Sequence, residues 1–308
     1  MEEQKDGISK RAVVVKRLIK EFNKNVTLKS YFIEKNRSES DIDKSFKYPE
    51  HLTTRLIERK NYKMEMLSPV EGECDWVVLQ LHGGGYVSAF KNNYRTMAGL
   101  YSEVCPGACV LSVDYRVAPE HPYPAALEDA IDAYQWLLDE GFEAKHIFIA
   151  GDSAGGGLSL ALVMYLREHN ILLPAGIVLM SPWADLTASG ASYDDNYEVD
   201  IVFGNRRDSL IYGNPYSDGS DPKDPHISPV YGEFNGFPPM LIQVGSEEML
   251  LDDSKKVAAK AKQAGVSVRY SEYPGMFHVF QMAAKSMPEA GKAWSEVGKF
   301  FELLQGED

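Results

Sequence analysis

The sequence predicts an α/β fold, a mainly parallel sheet with helices packed on both of its faces. Three observations predict it. Between Asp75 and Gly275 short β-branched runs alternate with longer stretches of helical periodicity, the mark of repeated strand-to-helix crossovers. The strand runs are near-continuously apolar rather than alternating, as strands covered on both sides must be. A chain of 308 residues with 44% hydrophobic side chains can also bury a core of the size this requires.

Taken in order, the chain opens on an amphipathic segment from about Ile8 to Asn25, followed by a polar stretch from Ser38 to Lys47. Thr53 to Met66 reads as two weaker strands at the sheet edge. Trp76–Leu81, Ala108–Tyr115, His146–Ala150, Gly176–Met180, Met240–Val244 and Ser267–Tyr273 are the main strands. Pro124–Glu140, Ala154–Glu168 and Ser254–Ala264 carry apolar residues at helical spacing, and a last helix follows His278. Two segments stand outside the alternation, residues 1–50 and the Asp/Asn/Gly-rich insertion 188–225. The insertion leaves the carboxyl end of a strand, where open α/β sheets bind ligands, so both segments read as parts of a cap over a pocket. Residues 51–187 and 226–308 then form the catalytic domain. Neither an internal repeat nor a low-complexity tract is visible.

A formal charge of −13 repels nucleic acid and anionic lipid surfaces, and a small neutral substrate fits it better. The first apolar run, Ala12 to Val15, is short and is followed by Lys16 and Arg17, which is no export signal. The longest apolar stretch, Ile171 to Met180, is broken by Pro174 and is half the length of a membrane span. Of the three cysteines, Cys74 stands alone, while Cys105 and Cys109 flank a Pro-Gly turn. That pattern is neither a disulfide framework nor a zinc ligand set, and predicts thiols in a reducing cytoplasm.

Chemistry concentrates at strand ends. Gly151-Asp152-Ser153-Ala154-Gly155 is a G-x-S-x-G pattern between the strand ending at Ala150 and the helix opening at Ala154. A serine on so sharp a turn projects its hydroxyl beyond the sheet, small neighbours let backbones approach, and the helix N-terminus favours an oxyanion. A phosphate-cradling reading fails, because Gly157 is followed by Leu158 and Ser159 rather than a Lys-Ser/Thr pair. Upstream, His82-Gly83-Gly84-Gly85 follows another strand, and its bare backbone can turn N–H groups towards an oxygen. The amides of Gly84, Gly85 and Ala154, with Gly83 as a further candidate, are expected to form an oxyanion hole, and His82 to brace the loop.

With Ser153 as nucleophile, the general base and its supporting acid follow in the order Ser, Asp/Glu, His. His51, His82, His121 and His146 precede Ser153, His169 ends a helix, and His226 precedes the strand expected to deliver the acid. His278, on a turn-rich loop after the last strand, is the remaining base. The acid must accept the second imidazole N–H. Glu247, Glu248, Asp252 and Asp253 all follow the strand Met240–Val244; the two aspartates read as caps of a helix starting at Ser254. Glu247 and Glu248 remain, with Asp185 as an outside candidate.

Together these residues resemble the bacterial hormone-sensitive-lipase family of esterases, over nearly the whole chain from about Asp75. His82-Gly83-Gly84-Gly85-Tyr86 resembles its oxyanion motif, Asp114 to Glu120 its structural segment, and Gly151 to Gly156 its nucleophile motif. The family's usual acid motif is Asp-Pro-Leu, and here Glu248 stands at the aspartate position, followed by Met249 and Leu250. The resemblance therefore assigns the acid to Glu248, as in the branch similar to monoterpene lactone hydrolases, which the segment Val266 to Met282 of this chain also resembles. It implies an α/β-hydrolase fold of eight strands under a helical cap, hydrolysis of short- to medium-chain acyl esters through an acyl-serine, no cofactor or metal, and frequent homodimers. A lactone hydrolase or deacetylase would use the same triad. A non-catalytic receptor of this fold would not need Ser153, a carboxylate and His278 together. Tyr86, Phe203, Tyr212 and Phe277 line a pocket or pack the cap.

Overall fold

Alternation of side chains along each strand builds two cores on one sheet. Val77, Leu79, Leu81, Ile147, Ile149, Ile177 and Leu179 point to one face, while Val78, Phe148, Ala150, Val178 and Met180 point to the other. The computed structural model describes residues 7–24 and 39–306. Residues 1–6 and 25–38 of the predicted N-terminal cap segment lie outside the described residues. Eight strands run β1 (Leu52–Glu58), β2 (Lys63–Pro69), β3 (Trp76–Leu81), β4 (Ala108–Asp114), β5 (Ile147–Asp152), β6 (Gly176–Met180), β7 (Met240–Gly245) and β8 (Val268–Tyr273). They are ordered β1-β2-β4-β3-β5-β6-β7-β8. The β1–β2 and β2–β4 pairs are antiparallel and the others parallel.

The first face is covered by α3 (Ala125–Asp139), α4 (Ala154–Glu168) and α6 (Leu251–Gln263), and the second by α2 (Asn92–Val104) and α7 (Pro288–Gln305). Ala12 of helix α1 (Lys10–Lys24), with Ile8 just before the helix, packs against Tyr273, Met276 and Phe277, beside the end of β8. In the 188–225 insertion, helix is confined to α5 (Ser192–Asp195) and three-residue 3-10 turns. The sequence reading did not name α2, although Tyr94, Met97, Ala98 and Tyr101 repeat at helical spacing and are buried. Polar residues between them weaken the signal. Helix α6 begins at Leu251, so Asp252 and Asp253 lie in its first turn and do not precede it as caps. Asp253 instead accepts the N–H groups of Ala184 and Asp185, both at 2.9 Å, and Asp252 accepts that of Ser192 at 3.1 Å.

The cysteine expectation is corrected. Cys74 and Cys109 form a disulfide, with Cα atoms 5.6 Å apart, and Cys105 is the buried free thiol. Strand register explains what spacing could not: Val77 of β3 sits opposite Cys109 of β4, and Cys74, in the chain leading into β3, comes alongside. The thiol-based argument for a reducing compartment therefore falls for this pair. Among the described residues no helix is long and apolar enough to cross a membrane.

A buried arginine ties the chain before β1 to the sheet. Arg95 of α2 donates to Glu65 of β2 through Nε at 3.0 Å and Nη2 at 2.8 Å, and to the carbonyls of Asp41, Ile42 and Lys44. With side-chain exposures of 2% and 7%, neither charge can be left alone. Removing one partner of such a pair typically costs about 3–5 kcal/mol, because the other remains buried and unpaired. Arg95→Met should lower unfolding stability by that amount in urea titration, and a change below about 1 kcal/mol would show that water reaches Glu65.

Candidate active site

Ser153 sits between β5 and α4 with φ 51° and ψ −122°, a conformation L residues adopt only under constraint. The constraint is visible on both sides of the residue. Its N–H donates to Met180 O at 2.9 Å and its carbonyl accepts from Trp183 N at 2.8 Å, pinning the turn to the end of β6. A Cβ on Gly151 would collide with Gly155 O, and one on Gly155 with Leu81 O at the end of β3. Those glycines are therefore required by close backbone approach.

The loop after β8 brings His278 to Ser153, with Nε2 2.9 Å from Oγ. On its other side Nδ1 lies 2.8 Å from Oε2 of Glu248, which is fully buried. The second oxygen, Oε1, accepts from Ser181 Oγ at 2.7 Å and from Gly245 N at 2.5 Å. Ser181 Oγ in turn accepts the N–H of Val279 at 3.1 Å. The loops after β6, β7 and β8 thus meet around one carboxylate.

The other acid candidates go elsewhere. Glu247 turns outward to Lys16 of α1 at 2.6 Å. Asp185 accepts from Thr187 and Ser189 within its own loop and lies 3.7 Å from Lys256. Asp252 and Asp253 face the chain that follows β6.

In the glycine loop, Gly84 and Gly85 have φ of 105° and 64°, and both line a cavity of about 250 Å³ together with Ser153 and His278. Ala154 is the first residue of α4, so its N–H lacks an intrahelical acceptor and belongs to the positive end of the helix. The N–H of Gly83 donates instead to Asp152 Oδ1 at 3.1 Å, which removes Gly83 from the oxyanion candidates. His82 stacks on Tyr115 with ring centroids 4.1 Å apart, and Tyr115 donates to His82 O. Burial pushes the His82 pKa down to about 4, keeping it neutral. Its Nδ1 lies 2.7 Å from Gly83 O, an acceptor, so that nitrogen carries the proton.

Trp183, Val202, Phe203, Leu210, Ile211, Val279 and Met282 give the cavity an apolar lining, with Asn93 and Tyr94 beside them. Of the four aromatics singled out in the sequence, Phe203 is in the wall, its ring centroid 4.8 Å from that of His278. Tyr86 is stacked on Tyr216 and Phe277 packs beneath α1. Most of the wall comes from loops, which carry no periodicity to reveal it. No cluster of His, Cys, Asp or Glu suited to a metal ion occurs among the described residues.

The α/β hydrolase fold family model matches residues 78–282, a stretch holding both glycine motifs, Glu248 and His278. A crystal structure of an esterase from the bacterial hormone-sensitive lipase family superposes with a TM-score of 0.83 at 34% identity, covering 95% of this chain and 97% of that one. The chain belongs to that family. An acetyl-hydrolase of Streptomyces hygroscopicus is 40% identical over 230 residues, 75% of this chain and 76% of its own length. An esterase of Acinetobacter venetianus is 40% identical over 229 residues, 74% of this chain and 75% of its own length. Family membership accounts for the alignment of the two glycine motifs on adjacent strands β3 and β5.

Asp152 carries a pH dependence. Burial raises its pKa from 3.8 to about 7, against the opposing pull of His278 and the Gly83 N–H. Because the folded state holds this proton up to a higher pH than the unfolded chain, stability is lost as pH rises between about 4 and 7. Asp152→Asn has no such proton. From pH 5 to pH 8 the wild type should lose roughly 2–3 kcal/mol relative to Asp152→Asn in urea unfolding, and parallel curves for the two proteins would refute the assignment.

Proposed function

We propose that the chain is a carboxylesterase acting on short- to medium-chain acyl esters, with Ser153 as nucleophile, His278 as general base and Glu248 as the supporting acid. The observation that carries this reading is the continuous line of contacts from Glu248 Oε2 through His278 to Ser153 Oγ, at 2.8 Å and 2.9 Å. His278 takes the Ser153 proton as the hydroxyl attacks the ester carbonyl, and Glu248 holds the imidazole in the tautomer with Nε2 free and stabilises the imidazolium. The tetrahedral oxyanion is met by the amides of Gly84, Gly85 and Ala154, each such donor being worth about 3 kcal/mol in the transition state. Alcohol departs with the proton from His278, leaving an acyl-serine. Water, activated by the same imidazole, then releases the acid.

Substrate size follows from the cavity. About 250 Å³ with a largely apolar lining is below the range of roughly 300–1,000 Å³ usual for drug-sized ligands, which favours short acyl chains. Helix α1 and the 188–225 insertion act together as the cap, since Asn23 donates to Ile201 O at 2.7 Å and Val202 and Phe203 line the pocket. A second reading, deacetylation, is favoured by the likeness to the Streptomyces acetyl-hydrolase.

The test is hydrolysis of p-nitrophenyl esters of increasing acyl length. Turnover should peak at short chains and fall beyond about eight carbons, with each methylene that no longer fits costing 1–3 kcal/mol. Ser153→Ala should lose on the order of 10⁶-fold in kcat and Glu248→Gln on the order of 10⁴-fold. A wild type inert on every ester, or a Ser153→Ala variant as active as wild type, would sink the proposal. Activity confined to the acetyl ester would select the second reading.

A further inference from the structure

Asp200 belongs to the 188–225 insertion and is 3% exposed. Its two oxygens serve different parts of the molecule. Oδ1 accepts the N–H groups of Val202 at 2.7 Å and Phe203 at 2.9 Å, forming the turn that places both residues in the pocket wall. Oδ2 crosses to the loop after β7 and accepts the N–H of Met249 at 2.8 Å, one residue beyond Glu248. Four residues earlier, Asn196 donates Nδ2 to the carbonyls of Ser246 at 3.1 Å and Glu248 at 2.8 Å. The backbone of Glu248 is thus held from its carbonyl and from the following amide by the same insertion.

A local turn explains Oδ1 but not Oδ2, which spends a buried acceptor on a loop distant in sequence. Three N–H groups converge on this one buried side chain, and leaving any of them unmade inside the protein costs about 1–3 kcal/mol. An amide at this position would keep one acceptor and turn its NH2 towards a donor. The requirement for a carboxylate is therefore a requirement for holding both loops at once.

We propose that Asp200, with Asn196, is a positioning residue for the reaction, fixing the backbone of Glu248 so that its carboxylate meets His278 while binding the pocket wall to the same point. The proposal rests on the triad reading above. It gives the insertion a second task beside covering the pocket: catalytic geometry and wall geometry share one anchor, so changes in one are felt in the other. Neither Asp200 nor Asn196 touches substrate in this scheme, and each acts through Glu248.

The experiment is a double-mutant cycle on kcat for a p-nitrophenyl short-chain ester, with Asp200→Asn and Glu248→Gln alone and combined, far below the melting temperature of each. Asp200→Asn can keep the turn at Val202 and Phe203 through its amide oxygen while losing Met249. It should lower kcat at least about tenfold with KM changed less than about threefold, and should lower kcat less than about twofold further in the Glu248→Gln background. Equal factors in both backgrounds, or an unchanged kcat, would overturn the proposal. Should Asp200→Asn not fold, the same cycle with Asn196→Ala carries the same expectation and the same refutation. A readout without substrate separates this idea from the esterase reading: the proton NMR signal of His278 Nδ1–H. That resonance should shift or broaden in Asp200→Asn even if the wild type hydrolyses no ester; an unmoved resonance would reject the positioning role.

Discussion

Everything at the site hangs on the backbone of Ser153, held at φ 51° and ψ −122° by its hydrogen bonds to Met180 and Trp183. Such a conformation costs about 1–3 kcal/mol and persists only where the surroundings over-determine it. Here they do so by removing side chains. Gly155 lets α4 come down onto Leu81 O and His82 O, so the nucleophile turn and the glycine loop touch backbone to backbone. Asp152 completes the contact by accepting from Gly83. The two motifs, separated in sequence, are one object in space: neither could keep its shape if the other moved, and the proposed oxyanion donors are set by the turn that presents the proposed nucleophile.

The opposite half of the site is set by a different device. Glu248 receives Ser181 Oγ and Gly245 N on one oxygen and His278 on the other, so three strand-end loops converge on a single buried group. Ser181 and Val279 both take positive φ to make the junction, at 50° each. Burying a carboxyl group this deeply is costly unless its oxygens find donors, and here directed N–H and O–H groups replace the water it lost. Asp200 and Asn196 extend the same logic one layer outward, to the backbone that carries Glu248.

Much of this was legible in the sequence, and what was not has a physical reason. The strands were readable because burial on both faces leaves only apolar residues; the roles proposed for Ser153 and His278 rest on strand order in the sequence and on their 2.9 Å contact in the fold. Ambiguity among Glu247, Glu248, Asp252 and Asp253 could not be resolved by residue type, since all four are carboxylates close together after β7. Backbone direction sorts them: Glu247 turns out to Lys16, Glu248 turns in to His278, and the two aspartates fasten α6 to the chain after β6. The Cys74–Cys109 bond escaped because lateral strand register has no trace in linear spacing. Asp200 escaped for a similar reason, being a polar residue in an aperiodic loop whose partners are main-chain atoms.

Electrostatics of the site then divide into fixed and titrating parts. His82 is held neutral by burial, with its pKa pushed down to about 4, and its proton is committed to Gly83 O. The proposed oxyanion site is lined by amide dipoles and the N-terminus of α4, which do not change with pH. Facing His278 are carboxyl groups of two kinds. Glu248 is hydrogen-bonded on both oxygens, whereas burial raises the pKa of Asp152 to about 7 and that of Asp200 above its ordinary range. Positive charge on His278 lowers the cost of ionising both aspartates. Burying carboxyl groups around a histidine is costly for folding, and hydrogen bonds offset part of that cost at each: from Ser181 and Gly245 at Glu248, from Gly83 at Asp152, and from Val202, Phe203 and Met249 at Asp200.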